Sequence, residues 1–241
     1  MMTFGAAGND ALDPQITLKV TEIMLKLYYA PGACSFVAHA ALEIAKASAG
    51  AQFEPALLNL RQGEQHTPEY RALNPNSQVP LLLVDGKPLA QIVAIADYLD
   101  RTFPAAQLMP ADPWARAQAL STLAWMNNSV HPTFTHIFRP EKFVEGEAAI
   151  AEVKRFNVIA FRGILERIQE MTKSANPWLF GDNLTFADLY ALVFLRWGSM
   201  AGIDPDTLPA YKAFQAKVSA HPAVAAAIAR EGIKLDMTKR D

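Results

Sequence analysis

The stretch Leu25-Lys26-Leu27-Tyr28-Tyr29-Ala30-Pro31-Gly32-Ala33-Cys34-Ser35 sets the reading of the whole chain. Its first five residues are apolar and aromatic, and Pro31-Gly32 closes them off, as a turn closes a strand. Val37, Ala41, Ile44 and Ala45 then recur at helical spacing, so a helix follows the turn directly. Cys34, the only cysteine of the 241 residues, falls between strand and helix.

Outward from this stretch the alternation continues. Phe53 to Asn59 reads as a second strand, and Arg61 to Pro75 as a polar, irregular segment in which Glu69 to Leu73 can be helical. Val79 to Val84 is a continuous apolar run, a third strand; Asp85-Gly86 marks a tight turn, and Lys87 to Ala90 returns antiparallel. Ile92, Ile95, Ala96 and Leu99 outline another helix. The order β-α-β-α-β-β-α predicts an α/β part, residues 24–103, with a mixed four-stranded sheet and helices on its faces. Pro104 to Pro113 holds three prolines and reads as a linker. Beyond it, residues 114–234 are all-helical in pattern: Ala117, Leu120, Ala124, Phe134 and Phe138 predict one Pro-interrupted helix or two. Stripes through Phe161 to Met171, Phe186 to Val193 and Tyr211 to Val218 follow, and Pro222 starts a last short helix. Residues 1–23 are read as a flexible extension, with Met24 a candidate start, and 235–241 as a tail.

Apolar residues make up 51% of the chain, charged residues 19%, and the formal net charge is −2, so an ordinary folded protein is expected. Lys and Arg are scattered, without the basic stripe of a nucleic-acid binder, and every apolar run is interrupted before it could span a bilayer. One thiol cannot form an internal disulfide, which points to the reducing cytoplasm.

A cysteine at a helix start faces unpaired backbone N–H groups and the positive end of the helix dipole, which can lower its pKa into the range of roughly 3.5–7.5. That placement favours a reactive Cys34 over an inert buried one. Val79-Pro80 admits two readings, an edge-strand proline or a cis bond that turns the Val79 backbone towards Cys34. The helix start after Ala90-Gln91-Ile92 can hold a carboxylate on its free N–H groups. His131 and His136 are five apart with Pro132 between them, a poor spacing for shared metal ligation, so no metal site is expected. His39, five residues beyond Cys34, is read as a satisfied packing residue. Thr185-Phe186-Ala187-Asp188 reads as a helix cap, and Trp125, Trp178 and Trp197 as core.

The opening stretch closely resembles that of the bacterial, beta-class glutathione transferases. So do Asn74-Pro75-Asn76-Ser77-Gln78-Val79-Pro80, Phe138-Arg139-Pro140 and the segment from Gly181 to Asp188. The likeness runs from Met24 to Lys234. It implies a thioredoxin-like N-terminal domain, a helical-bundle C-terminal domain, glutathione as co-substrate, a small hydrophobic electrophile and a homodimer. It further implies that Cys34 lies beside the glutathione sulfur and can form a mixed disulfide with it, with His131 close to the thiol and Ser35 a weaker candidate for a thiol contact. Val79 would pair through its backbone with the cysteinyl part, Pro80 would be the cis-proline, and Gln91 would hold the γ-glutamyl end.

Two departures from the family pattern fall on one side of that site. Ile92 stands where a serine is usual, and the segment from Asn59 to Tyr70 contains Arg61 but no lysine. A hydroxyl contact to a charged carboxylate is worth about 1.5–3 kcal/mol, so its loss would weaken binding roughly ten- to a hundred-fold. The expected function is a glutathione-dependent transferase that conjugates or exchanges the thiol. The alternative is a binding or interaction protein of the same fold with little catalysis.

Overall fold

The computed structural model describes residues 23–238. Strand β1 (Leu25–Tyr29) lies inside a four-stranded sheet, with β2 (Phe53–Leu57) parallel on one side and β3 (Leu81–Val84) antiparallel on the other. β4 (Lys87–Ala90) pairs antiparallel with β3, giving the order β2-β1-β3-β4. Pro55 and Pro88 sit within β2 and β4, the two edge strands, where a residue without an N–H leaves no ladder bond unmade on the inner side. The third strand begins at Leu81 and not at Val79, because Pro80 has no N–H to give; the Val79–Pro80 peptide is cis. Asp85 and Gly86 both have positive φ, the geometry of a tight hairpin.

Helix α1 (Ser35–Ala49) is buried at every position from Ser35 to Ala45, so it is covered all round. One side rests on the sheet and on α3 (Ile92–Thr102); the other meets α7 (Phe186–Met200) and α9 (Pro222–Glu231) of the helical part. Ala38, Ala40, Ala41 and Ala45 carry no more than a methyl group at these contacts, which lets the neighbouring elements approach closely. α2 (Pro68–Leu73) covers the predicted helical piece of the polar segment, preceded by two short 3₁₀ turns that periodicity did not reveal.

The remaining helices are α4 (Pro113–Trp125), α5 (His131–Phe138), α6 (Glu147–Lys173) and α8 (Pro209–Ser219), packed about α7. Residues 186–199 of α7 are all buried. Its start is a capping box: Asp188 accepts from the backbone N–H groups of Leu179 (2.9 Å) and Thr185 (2.7 Å) and from the Thr185 hydroxyl (2.7 Å).

The structure adds detail in four places. Within 104–113, Ala106, Leu108 and Met109 are buried, and Met109 donates its N–H to Asp100 (3.0 Å). His39 does more than pack: its Nδ1–H donates to Glu231 (2.8 Å), both side chains are sealed from solvent, and Nε2 has no partner among the described residues. Of the presumed tail, Leu235 packs against the core and Met237 donates its N–H to Ser199 (2.9 Å). Of the presumed extension, only Ile23 is described, and it too packs on the core; residues 1–22 lie outside the described residues.

Candidate functional site

The turn after β1 is shaped by contacts from both parts of the molecule. Gly32 has φ +66°, and a Cβ there would lie 2.6 Å from the guanidinium carbon of Arg196, so both the conformation and the space demand glycine. Its carbonyl accepts from the Trp197 indole (3.0 Å) and from Arg196 (3.2 Å), while its N–H donates to Glu231 (2.8 Å). The chain is thereby delivered to Cys34, which caps α1.

Cys34 is buried and donates its thiol proton to the carbonyl of Val79 (3.3 Å), across from the cis bond. Burial pushes its pKa up to about 12, outweighing the hydrogen bonds from the helix-start backbone that favour the thiolate. The expectation of a thiolate-rich Cys34 is therefore corrected. The helix start is where the sequence puts it, but the sulfur is covered there and stays a thiol. Ser35 is corrected as well. Its hydroxyl turns away from the thiol, accepting from the N–H of Ala30 (3.1 Å) and donating to the carbonyl of Ala30 (3.3 Å), and it braces its own turn.

Opposite Cys34, the loop before Val79 is fixed at the Gln78 carbonyl, which accepts from the Tyr70 hydroxyl (2.7 Å) and the Asn74 amide (2.8 Å). Further on, Gln91 is exposed with φ +74°, a conformation that non-glycine residues rarely adopt, and it leads into the first turn of α3. Ile92 opens that helix. The residue is 3% exposed and packs in the core, and it also borders the cleft. With its side chain packed in the core, Ile92 offers a carboxylate at this helix start its backbone N–H and no hydroxyl.

The far wall comes from the helical part. α4 runs into α5 through five residues in π conformation, Met126–Val130, in which His131 donates its N–H to the carbonyl of Met126. His131 shares a 2.7 Å hydrogen bond between Nδ1 and the Tyr190 hydroxyl, and its ring meets Trp197 edge-on at 4.9 Å. Burial pushes its pKa down to about 4, so the ring is neutral at neutral pH. His136 is diverted from any shared role with His131: its Nδ1–H donates to the carbonyl of Pro132 (2.6 Å), and its ring stacks on Phe143.

These walls enclose a cleft of about 290 Å³. Cys34, Val79, Pro80, Gln91 and the start of α3 line one side, with Asn74, Gln78 and Ala90. Asn127, His131, Pro132, Thr135 and Phe143 line the other. Of the candidate site residues, Cys34, Val79, Pro80, Gln91, Ile92 and His131 line this cleft, and Ser35 does not. Asn127 and Thr135 were missed, having no motif to mark them. Tyr190 was missed as well: in sequence it is one apolar-stripe residue among several. Among the described residues, no side chain lining the cleft carries a formal charge at neutral pH, given the neutral His131 and protonated Cys34.

The family model of the glutathione S-transferase N-terminal domain matches residues 24–101, and that of the C-terminal domain residues 126–222. A relative, glutathione S-transferase GST-4.5 of Xanthomonas campestris pv. campestris, is 34% identical over 211 residues, covering 87% of this chain and all of its own. Among solved structures, a glutathione S-transferase from Xylella fastidiosa superposes with a TM-score of 0.78 at 32% identity, covering 87% of this chain and 100% of its own. A glutathione transferase homologue from sulfitobacter, with bound glutathione, superposes with a TM-score of 0.80 at 26% identity, covering 88% and 99% of the two chains.

Two measurements test this geometry. Ile92→Ser removes buried methyl groups and places a hydroxyl in the core, so the variant is expected to lose about 2–4 kcal/mol in urea unfolding; a loss below about 0.5 kcal/mol would place the side chain outside the core. His131 binds its proton less readily folded than unfolded, so its contribution to stability is complete above pH 6.5 and is lost as pH falls towards 4. Between pH 7 and 4 the native protein is expected to lose about 3 kcal/mol more stability than His131→Gln. Parallel stability profiles for the two proteins would contradict the buried neutral ring.

Proposed function

The chain belongs to the glutathione S-transferase family, and we propose that it holds glutathione in the cleft between sheet and helical part and joins the tripeptide's sulfur to a small, uncharged, apolar electrophile. The observation that carries this reading is a single cleft uniting the Val79 backbone, the start of α3, Cys34 and His131. An extended cysteinyl peptide can pair with Val79 as an added strand pairs with a sheet edge. The γ-glutamyl carboxylate finds the N–H groups of α3 and the Gln91 amide, which supply partial positive charge without a cationic side chain. The backbone at Ile92 serves there as well as it would with serine. In the free protein the Val79 carbonyl, beside Pro80, accepts from Cys34.

The sulfur then lies beside two polar groups, the Cys34 thiol and the His131 ring. Glutathione's thiolate is the nucleophile. Its lone pair forms the new carbon–sulfur bond, and the electrons of the broken bond leave with the departing anion. Because burial keeps Cys34 protonated, its role in this reaction is to turn its one S–H proton from the Val79 carbonyl to the thiolate as a hydrogen-bond donor, not to attack. A second reading, thiol exchange, rests on the same cysteine lining the cleft. Here the Cys34 thiolate attacks one sulfur of oxidised glutathione, forming a mixed disulfide and releasing glutathione thiolate. With so high a pKa, that route speeds up as pH rises.

We place the protein in the reducing cytoplasm, where both thiols stay reduced, and no described helix is long and apolar enough to cross a membrane. The homodimer reading is supported by Phe156 and Ile159, three residues apart on α6 and 63% and 61% exposed. Light scattering giving the mass of one chain at micromolar concentration would overturn it.

The function is tested by calorimetric titration with reduced glutathione followed by turnover of a chlorinated dinitrobenzene. Binding with conjugate formation is expected. Binding without turnover would favour the non-catalytic binding protein, and absence of both would overturn the reading. On incubation with oxidised glutathione, intact mass is expected to show one adduct, faster at higher pH and absent in Cys34→Ala.

A further inference from the structure

Tyr190 is wholly buried within α7, and its hydroxyl shares one hydrogen bond, 2.7 Å long, with Nδ1 of His131. A phenol can donate or accept, and a neutral imidazole has one nitrogen of each kind, so distance alone permits two arrangements. The surroundings decide between them. Among the described residues the Tyr190 hydroxyl has no other hydrogen-bond partner. If Nδ1 carried the ring proton, the phenol would accept it and its own proton would point at nothing, a buried donor of the kind that folded proteins avoid. If the phenol donates to Nδ1, both groups are satisfied, and the ring's single proton sits on Nε2.

We propose that Tyr190 is a positioning residue that fixes His131 in the Nε2–H form, so that the cleft is offered a hydrogen-bond donor and not a base. Neither ring is free to turn out of this arrangement. The His131 ring is wedged edge-on against Trp197, and the Tyr190 ring is stacked on Phe194 at 4.3 Å. With Nδ1 committed to Tyr190, Nε2 is the polar ring atom that His131 has left for the cleft it lines. Burial keeps the ring neutral at neutral pH, so the donor is a neutral N–H and not an imidazolium. Where the cleft holds glutathione, a consequence that rests on the proposed function, this N–H donates to the thiolate sulfur, joined by the Cys34 thiol once its proton turns from the Val79 carbonyl. The proton of the glutathione thiol then departs to solvent, because the ring turns no lone pair towards it.

The test begins on the native protein without ligand. In protein labelled with ¹⁵N-histidine at neutral pH, with the His131 signals assigned by their loss in His131→Gln, the one-bond N–H coupling is expected on Nε2. A coupling on Nδ1, or shifts showing both forms populated, would overturn the proposal whether or not Tyr190→Phe folds. In Tyr190→Phe the Nδ1–H form is expected to become populated and to move both ring-nitrogen shifts. Ring shifts unchanged from the native protein would overturn the role of Tyr190. Calorimetry with reduced glutathione is run on the same native sample. Failure to bind with the Nε2–H form intact counts against the glutathione reading alone.

Discussion

The Gly32 peptide is held at both of its polar groups by the helical part of the molecule, its N–H by Glu231 of α9 and its carbonyl by Arg196 and Trp197 of α7. The same carboxylate reaches α1 through His39, and Arg196 also donates to the carbonyl of Lys234 (2.8 Å). One turn of chain is thus tied to the last helix, to the central helix and to the segment after α9. A buried carboxylate and a buried guanidinium cost desolvation energy, and here backbone groups and a histidine offset that cost. The outcome is spatial. The cleft lies between the sheet and the helices, so its shape depends on how the two parts sit against each other, and these contacts fix that seat within a few residues of Cys34.

Much of this architecture was legible in the sequence. The four strands, the hairpin at Asp85-Gly86, the cap at Thr185 to Asp188 and the helical stripes follow from local spacing, and the structure has them close to where they were expected. The candidate site residues were named mainly through family resemblance, and the surroundings of their side chains were less legible. A sequence places Cys34 at a helix start but does not weigh the dipole against the packing that covers the sulfur, and packing wins. It cannot say which way the first side chain of α3 points, so Ile92 looked like a lost contact when it is a core residue. Ser35, beside the cysteine in sequence, faces its own turn, because in the first turn of a helix adjacent side chains diverge by about 100°. Glu231 and Tyr190 act across separations of 199 and 59 residues, beyond the reach of any local pattern.

The absence of formal charge from the cleft lining sets the kind of recognition available. Side-chain amides, backbone N–H groups and a neutral ring contact a ligand through oriented dipoles, which lose strength quickly with distance and misalignment. Such a surface needs rigid walls more than a salt-bridged one does. The walls have them: the Gln78 carbonyl is bonded twice, Gln91 is held in a conformation the isolated residue would avoid, and the Cys34 turn is pinned at Gly32.

The helical wall reaches the same end through a defect. Pro132 has no N–H to donate to the carbonyl four residues back, and its ring crowds that carbonyl, so a regular helix cannot pass through this point unchanged. The chain answers by widening into the π turn at Met126–Val130. Nearby side chains take up carbonyls of the disturbed region: Thr133 donates to Ser129 (2.9 Å), Thr135 to His131 (3.1 Å) and His136 to Pro132 (2.6 Å). The extra residue in the turn shifts the register of everything before it relative to α5. Asn127 and His131 both end up on the cleft, with His131 within reach of a tyrosine that belongs to the central helix. A proline that would ordinarily weaken a helix thus serves here to aim a histidine.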